Sequence, residues 1–396
     1  MRVLLLVDCY LPSTKSSAKL VHDLALEIQR QGHQAIVVAP DDALDRPCDV
    51  RQEAGVTVVR VRAGRIKGAL LPLRAFNEAR LSAVLWRRAR RFFEAQRCDL
   101  VAYYSPTIFF GALVLRLKRL WGCRSYLILR DIFPQWAVDA GVLRRGPAYW
   151  FFRRKELAQY RAADVIGVQS PANLAYFERG MGGKPRRLEV LFNWAVPESP
   201  RPTGRERERL GLQGRTVFFY GGNIGLAQDM DNLLRLAAGM RDEPSTHFLF
   251  VGQGTEVERV RRAAAERGLG NVTLHPGVDQ QRYLAMVADF DVGLLSLDRR
   301  LLTQNFPGKM LSYMQASLPM LASVNPGNDL RQVVEEARAG FVSWNGDDAT
   351  LLENARRLAR DGALRAEMGR NARRLLERSF LVSRAAEQIL ASVSRS

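Results

Sequence analysis

Strand-like and helix-like patterns alternate along the whole 396-residue sequence, and this alternation constrains the fold more than any other feature. Residues 2–7 form a nearly continuous apolar run, which predicts a parallel strand buried on both faces. Leu20, Leu24 and Ile28 then repeat at helical spacing, and residues 34–38 form the next strand. The sequence therefore begins with a βαβ unit.

The same alternation continues and falls into two series. Further strands are predicted at residues 56–61, 100–104, 125–129 and 164–168, then at 216–220, 246–251, 271–274, 291–296, 319–323 and 340–343. Residues 197–209, rich in Pro, Arg and Glu, are interpreted as a linker, and the last helices are predicted at 349–377 and 381–393. We expect an α/β fold of two Rossmann-like doubly wound domains facing a central cleft. The predicted domains are residues 1–196 and 197–380, with 381–396 a helix able to cross back onto the first domain.

Composition and charge limit the class of protein. Hydrophobic residues make up 47% and charged residues 25%, which excludes disordered, collagen-like and disulfide-scaffold classes. The net charge of +18 is concentrated in residues 1–195, which carry +15, and predicts an acidic partner for that half. The four scattered cysteines form no metal pattern, the apolar start is typical of a strand rather than a signal peptide, and no stretch is long enough to span a membrane. We therefore expect a cytoplasmic protein without a bound metal.

A glycine-rich turn follows the first strand of the second series. Gly221, Gly222 and Gly225 allow the backbone to approach a phosphate and offer N–H donors. A tight strand-to-helix turn is an equal alternative. Gly252 and Gly254 end the next strand at the same sheet edge, and two such turns side by side favour a nucleotide site.

Two charged residues open predicted helices. Lys309 follows Pro307 and Gly308 in the first turn of a helix, where a cation opposes the helix dipole and is explained by a bound anion; a solvated surface lysine is the alternative. Asp131 directly follows the strand at 125–129, where ligands of doubly wound sheets bind. An N-cap for the next helix is the alternative for Asp131.

Residues 64–93 are basic and amphipathic. A basic amphipathic helix can lie on an anionic bilayer, and insertion by Trp86, Phe92 or Phe93 would help hold it there. An ordinary packed helix with a solvated basic face is the alternative, and nucleic-acid binding is ranked lower because no known module is present. The predicted membrane contacts are Arg87, Arg88, Arg90, Arg91, Trp86 and Phe92.

These residues, in this order, resemble glycosyltransferase family 4 over essentially the whole chain. The motifs that carry the resemblance are Tyr10-Leu11-Pro12, Val21-His22-Asp23-Leu24-Ala25, Gly221-Gly222-Asn223-Ile224-Gly225-Leu226-Ala227-Gln228, Gly252-Gln253-Gly254, Pro307-Gly308-Lys309, Tyr313-Met314 and Pro319. With Ser105-Pro106 and the Asp131–Pro134 spacing, the chain looks most like the N-acetyl-L-fucosaminyl transferases of O-antigen and capsule assembly.

The resemblance implies a GT-B fold and a retaining, metal-independent sugar transfer. Asp131 and Lys309 would be catalytic: Lys309 would stabilise the departing diphosphate, and Asp131 would orient a hydroxyl. The residues implied for donor binding are Lys15, Ser16, Gly222, Asn223, Gly225, Gln228, Gly252, His275, Gln304, Asn305, Phe306 and Ser312. The sequence departs from the family where Asn223 and Gln228 replace an Arg and a Lys, and Gln304 and Ser312 replace two glutamates.

The function expected from this resemblance is transfer of a deoxy-amino sugar, with N-acetyl-fucosamine as the first choice, from a nucleoside diphosphate to a polyprenyl-diphosphate-linked saccharide. No cofactor is expected, and the donor nucleotide is expected to be UDP. The protein would act on the inner face of the bacterial plasma membrane, with an anionic lipid surface as its partner and no nucleic acid. The alternative is a catalytically silent GT-B-like binding subunit of a polysaccharide assembly complex.

Overall fold

The computed structural model describes residues 1–13, 15–64, 71–180, 182–183, 185–302, 304 and 306–394, except the side chains of 71–75 and 394. The chain divides into two compact units. The first comprises Met1–Trp194 together with Val382–Ser396, and the second comprises Ala195–Leu381. The helix near the C-terminus therefore belongs to the first unit, and the division lies within two residues of the boundary expected at 196/197.

The first unit is built on an eight-stranded sheet with helices between its strands. The strand order is β3-β4-β2-β1-β5-β6-β7-β8, and only the β3–β4 pair is antiparallel. The strands are β1 (Arg2–Leu6), β2 (Gln34–Asp41), β3 (Cys48–Glu53), β4 (Val56–Arg62), β5 (Leu100–Tyr104), β6 (Arg124–Leu129), β7 (Val165–Val168) and β8 (Leu188–Val190). The helices are α1 (Ser16–Arg30), α2 (Leu71–Ala95), α3 (Gly111–Trp121), α4 (Gln135–Asp139), α5 (Pro147–Ala162) and α6 (Pro171–Glu178).

The two strands that the sequence did not predict lie at the edges of this sheet. β3 has only exposed and half-buried residues, most of them polar, so its hydropathy resembles that of a loop, and it is held by the hairpin with β4. β8 has only three residues, all half-buried. Central strands such as β1 and β5 are buried on both faces and were predicted from their apolar runs.

The second unit is a six-stranded, all-parallel sheet with the order β11-β10-β9-β12-β13-β14. This is the doubly wound order, in which the direction of winding reverses between β9 and β12. The strands are β9 (Thr216–Asn223), β10 (Thr246–Gln253), β11 (Val272–Pro276), β12 (Val292–Ser296), β13 (Met320–Val324) and β14 (Gly340–Trp344). The helices that follow α6 along the chain are α7 (Arg205–Arg209), α8 (Met230–Gly239), α9 (Val257–Glu266), α10 (Gln280–Asp289), α11 (Lys309–Gln315), α12 (Leu330–Glu336), α13 (Asp348–Arg360), α14 (Gly362–Ser379) and, in the first unit, α15 (Val382–Ser394).

Two expectations about the second unit were wrong. The predicted linker is partly folded, because the buried Asp289 carboxylate accepts backbone N–H bonds from Thr203, Gly204 and Glu206 at 2.6–2.9 Å. The predicted single helix at 349–377 is two helices, α13 and α14, since Asp361 leaves the helical conformation and caps the second through Leu364 N–H at 2.8 Å. Within the described ranges, none of the helices has the length and apolar character needed to cross a membrane.

Candidate functional site

The reversal of winding in the second unit opens a gap between the carboxyl ends of β9 and β12. The two strands pair only at Val292–Phe218 and Gly293–Phe219. Beyond this point the buried Tyr313 hydroxyl lies between them, 3.2 Å from the Phe219 carbonyl and 3.1 Å from the Leu294 carbonyl, and accepts from Gly221 N–H at 3.3 Å. Tyr313 therefore satisfies the backbone where the strands separate, at the position where doubly wound sheets bind their ligands.

Glycines lie beside this gap because the ends of β9 and β10, on the other side of β9, are in close contact. A Cβ on Gly252 would lie 1.8 Å from the Gly222 carbonyl oxygen, and one on Gly254 would lie 2.1 Å from the Ile224 carbonyl oxygen. Gly222 itself has φ +124°, a conformation that L side chains rarely adopt. The close contact of the two strand ends accounts for glycine at these positions, and the approach of a phosphate to the loop stays a prediction.

Lys309 is the cation of the gap. Its side chain is half-buried, and its Nζ lies 3.8 Å from the centroid of the Tyr220 ring. A Cβ on Gly222 would be 3.4 Å from Lys309 Cε, so the lysine passes directly beside the glycine loop. Burial lowers the pKa of Lys309 to about 7, and among the described residues no carboxylate forms an ion pair with it. A surface lysine in solvent, the alternative interpretation, is wrong.

Tyr283 of α10 is a site residue that the sequence analysis missed. Its ring is so close to the backbone that a Cβ on Gly221 would lie 2.4 Å from Cε2 and 3.0 Å from the hydroxyl. Burial raises the pKa of Tyr283 to about 12, and a hydrogen bond with Ser312 opposes that rise. The only signal in the sequence was Gly221, because a glycine inside a strand indicates that another group approaches closely.

Asn223 and Gln228, which stand where the family has an Arg and a Lys, are hydrogen-bonded to each other. Asn223 Nδ2 donates to Gln228 Oε1 at 2.8 Å, and a Cβ on Gly225 would lie 2.8 Å from Asn223 Nδ2. The Tyr220 hydroxyl donates to the Asn223 carbonyl at 2.5 Å and fixes the backbone there. This pair orders the loop and offers a ligand hydrogen bonds but no charge.

The remaining residues of this unit that were predicted to bind the donor have different surroundings. His275 Nδ1 donates to the Pro276 carbonyl at 2.7 Å on the neighbouring strand end, and Gln304 Oε1 accepts from Asn325 at 2.8 Å at the end of β13. Phe306 is 1% exposed and packs against Phe380, with ring centroids 6.4 Å apart, so the expected side-chain contact with a ligand is corrected to a packing role. Asn305 lies outside the described residues.

In the first unit, Ser105 fixes the loop that carries Asp131. The buried Ser105 hydroxyl accepts from Arg130 N–H at 2.8 Å and from Asp131 N–H at 3.3 Å, which joins the ends of β5 and β6. The helix that follows begins at Gln135 and has Pro134 as its N-cap, so the capping alternative for Asp131 is wrong. The Asp131 side chain is half-buried at the carboxyl edge of the sheet.

A cavity of about 510 Å³ opens at the same edge, beside the ends of β1 and β2. Its lining includes the carboxylates of Asp8, Asp41, Asp42 and Glu53, which can accept hydrogen bonds from hydroxyl groups. Lys15 and Ser16 are exposed at the start of α1 and are not part of this lining.

The basic helix α2 uses its aromatic residues in the core of the first unit. Phe93 is fully buried, Trp86 stacks on it with centroids 6.1 Å apart, and Phe92 packs against the same core cluster. The predicted membrane insertion by Trp86 and Phe92 is therefore corrected: both side chains are half-buried and pack against the core cluster. Arg87, Arg90 and Arg91 are exposed, and Arg88 is half-buried and donates to the Arg62 carbonyl at 2.6 Å. The alternative of a packed helix with a solvated basic face fits this element.

Two family models match the chain and together cover most of it. Residues 17–194 match the glycosyl transferase 4-like domain, and residues 203–375 match the glycosyl transferases group 1. Among characterised sequences, the chain is 27% identical over 257 residues to the probable glycosyltransferase WbjE of Pseudomonas aeruginosa. That match covers 63% of this chain and 63% of the relative, so it spans less than two thirds of the relative's length.

Solved structures share the fold over the full length. The sucrose-phosphate synthase of Thermosynechococcus elongatus superposes with a TM-score of 0.78 at 17% identity, covering 100% of this chain and 98% of that one. HepE of Anabaena, in complex with UDP and glucose, superposes with a TM-score of 0.74 at 16% identity and covers 100% of both chains. These similarities confirm the predicted GT-B fold class.

Proposed function

Because the chain belongs to the glycosyltransferases, to the 4-like family in its first half and to group 1 in its second, we propose that it transfers a sugar from a nucleoside diphosphate donor to a lipid-linked saccharide. The observation that carries this proposal is Lys309, a cation with a lowered pKa beside the open glycine loop of a doubly wound sheet. A lysine held there without a carboxylate partner is explained by an anion that binds during function.

The donor diphosphate would lie over Gly222 with its charge on Lys309. Binding a dianionic group restores the favoured charged state of the lysine and offers the exposed loop N–H groups a partner. As the bond to the anomeric carbon breaks, negative charge grows on the leaving diphosphate, and a cation fixed at that position lowers the barrier. The Tyr220 ring contacts Lys309 Nζ, and Tyr283, which is hydrogen-bonded to Ser312, lies against the glycine loop at Gly221.

The first unit would bind the acceptor. Asp131 is fixed by Ser105 at the carboxyl edge of its sheet, and the cavity at the ends of β1 and β2 on the same edge presents carboxylates suited to sugar hydroxyls. Retention at the anomeric carbon and independence of metal ions are proposed from the family resemblance, as are N-acetyl-fucosamine, a UDP donor and a role in O-antigen or capsule synthesis at the inner face of the plasma membrane. HepE, with UDP bound, supports the choice of nucleotide.

The silent binding subunit is the second candidate, and the uncharged Asn223–Gln228 pair is the observation that favours it. Isothermal titration with UDP, followed by a transfer assay with membrane lipid extract, separates the two. We expect UDP binding by the wild type and at least a tenfold loss in Lys309→Met. The matched control is Arg261→Met, which removes an exposed cation of α9 in the same unit. UDP binding without any transfer or donor hydrolysis would favour the binding subunit, and equal UDP affinity in Lys309→Met would refute the assignment of the diphosphate site.

A further inference from the structure

Among the side chains that the structure describes in the first unit, three exposed apolar ones lie close together in sequence at the start of α5. Trp150 is 64% exposed, Val142 is 61% exposed and Phe151 is 44% exposed, all within ten residues. Scattered single apolar residues are normal on a protein surface, but three large ones in one short segment indicate a contact surface. We call residues 141–155 the α5 patch.

The α5 patch is also uniformly basic. Its 15 residues include Arg144, Arg145, Arg153, Arg154 and Lys155 and no carboxylate. Arg144, Arg145 and Arg154 are exposed, and Lys155 Nζ lies 5.6 Å from the centroid of the Phe151 ring. Lys155 therefore lies beside an exposed aromatic ring, whereas Arg153 is paired with the buried Glu156.

The packing of α5 explains why these side chains face outward. Glu156, the first acid beyond the patch, is fully buried and is bonded to Arg153 and to the Tyr160 hydroxyl, so it adds no negative charge to the surface. Phe152 turns inward and packs against Phe133, with ring centroids 5.1 Å apart. Trp150 and Phe151 stay exposed, and the Phe151 ring lies beside that of Phe152 with centroids 5.4 Å apart.

We propose that the α5 patch docks the protein on an anionic lipid bilayer, with Trp150, Phe151 and Val142 entering the interface and the arginines contacting lipid phosphates. Rings that carry both apolar surface and a polar edge are favoured at this depth, and basic residues gain from the negative surface potential. The inference rests on the proposed lipid-linked acceptor for its purpose, but the docking itself is independent of any activity.

The position of the patch gives the docking a consequence for the reaction. The contact of Phe152 with Phe133 joins α5 to the loop 131–134, which carries Asp131. A bilayer seated on the α5 patch would therefore contact the helix that packs against the loop of the proposed acceptor residue, on the unit that is proposed to receive a saccharide on a lipid carrier.

Sedimentation of the full chain with vesicles of phosphatidylethanolamine and phosphatidylglycerol (3:1) tests the proposal. We expect wild type to bind, to bind pure phosphatidylcholine vesicles far less, and to be released by salt. Trp150→Ser with Phe151→Ser should lower binding about tenfold or more, and so should Arg144→Glu with Arg145→Glu and Arg154→Glu. The matched control is Val50→Ser, which removes a 50% exposed apolar residue of β3 elsewhere on the same unit.

A second measurement follows Trp150 directly. The tryptophan emission of wild type should shift to shorter wavelength with anionic vesicles, and Trp150→Phe should lose that shift while still sedimenting. The proposal is overturned if the α5 variants bind as wild type does, if only changes of Arg87, Arg88, Arg90 and Arg91 to Glu abolish binding, or if an RNA oligomer binds the patch and vesicles do not. UDP titration of the same variants distinguishes these failures from a failure of the proposed function, because the variants should bind UDP as wild type does.

Discussion

Replacement of Lys309 by Met should make the protein more stable while removing its donor site. Each tenfold change in a protonation constant corresponds to 1.36 kcal/mol, so a pKa lowered to about 7 implies a cost on the order of 5 kcal/mol for the buried ammonium. The side chain is only half-buried and keeps part of its hydration, and Met loses the contact with the Tyr220 ring. We therefore expect a net gain of about 1–2 kcal/mol at pH 6.

The sign of the pH dependence follows from the same shift. In the unfolded chain Lys309 has its ordinary pKa near 10.5, so between pH 7 and 10.5 the unfolded state binds more protons and wild-type stability rises with pH. The advantage of Lys309→Met should thus be largest below pH 7 and shrink steadily above it.

Differential scanning calorimetry at pH 6 and pH 9 measures both effects. The transition to compare is the one that UDP raises in wild type. In that transition Lys309→Met should melt about 3–6 °C higher than wild type at pH 6, and by a smaller margin at pH 9. Lys309→Arg, which keeps the charge, should gain nothing. A variant that melts lower than wild type at pH 6, or a gain that does not change with pH, would refute the account of an uncompensated lysine.

Three further outcomes follow from the geometry. The affinity of wild type for UDP-glucose, whose diphosphate does not titrate near neutrality, should fall by up to tenfold per pH unit above about 7, whereas Lys309→Arg should show a flat titration. Asp131→Asn should lower the transfer rate far more than it lowers UDP affinity; equal losses in both would contradict an acceptor role. Gly252→Ala should lower the free energy of unfolding by about 2–4 kcal/mol in urea, because its Cβ would overlap the Gly222 carbonyl, and Gly270→Ala, with nothing within 4 Å, serves as the control.

The sequence predicted the buried strands of the fold, but it did not predict the edge strands or the folded segment at α7. β1, β5 and β10 are buried strands that their apolar runs predict, and Gly252 at the end of β10 marks one side of the glycine loop. β3 is an exposed polar edge strand, and α7 begins a segment held by the distant Asp289, so neither has a local pattern. Long-range hydrogen bonds of this kind are set by tertiary contacts that hydropathy does not record.

The candidate site shows the same limit at the level of side chains. Lys309 could be predicted because a cation in the first turn of a helix needs an explanation. Tyr283 could not, because only the packing of α10 against β9 brings its ring to Gly221. The basic neighbours of the aromatic residues of α2 predicted an exposed position for them. In the structure, Trp86 and Phe92 pack against the core cluster instead.

The return of α15 to the first unit affects how the chain can be made on a ribosome. α15 buries Ala386, Ile389 and Leu390, and Gln388 donates hydrogen bonds to Glu189 and to the Val190 carbonyl. This helix therefore adds core residues and hydrogen bonds to a unit whose strands all precede the second unit in the chain. The second unit, Ala195–Leu381, is contiguous and can complete its core as soon as it emerges. During synthesis the surface that α15 covers therefore stays open to water and to chaperones until the second unit and α15 itself have been translated.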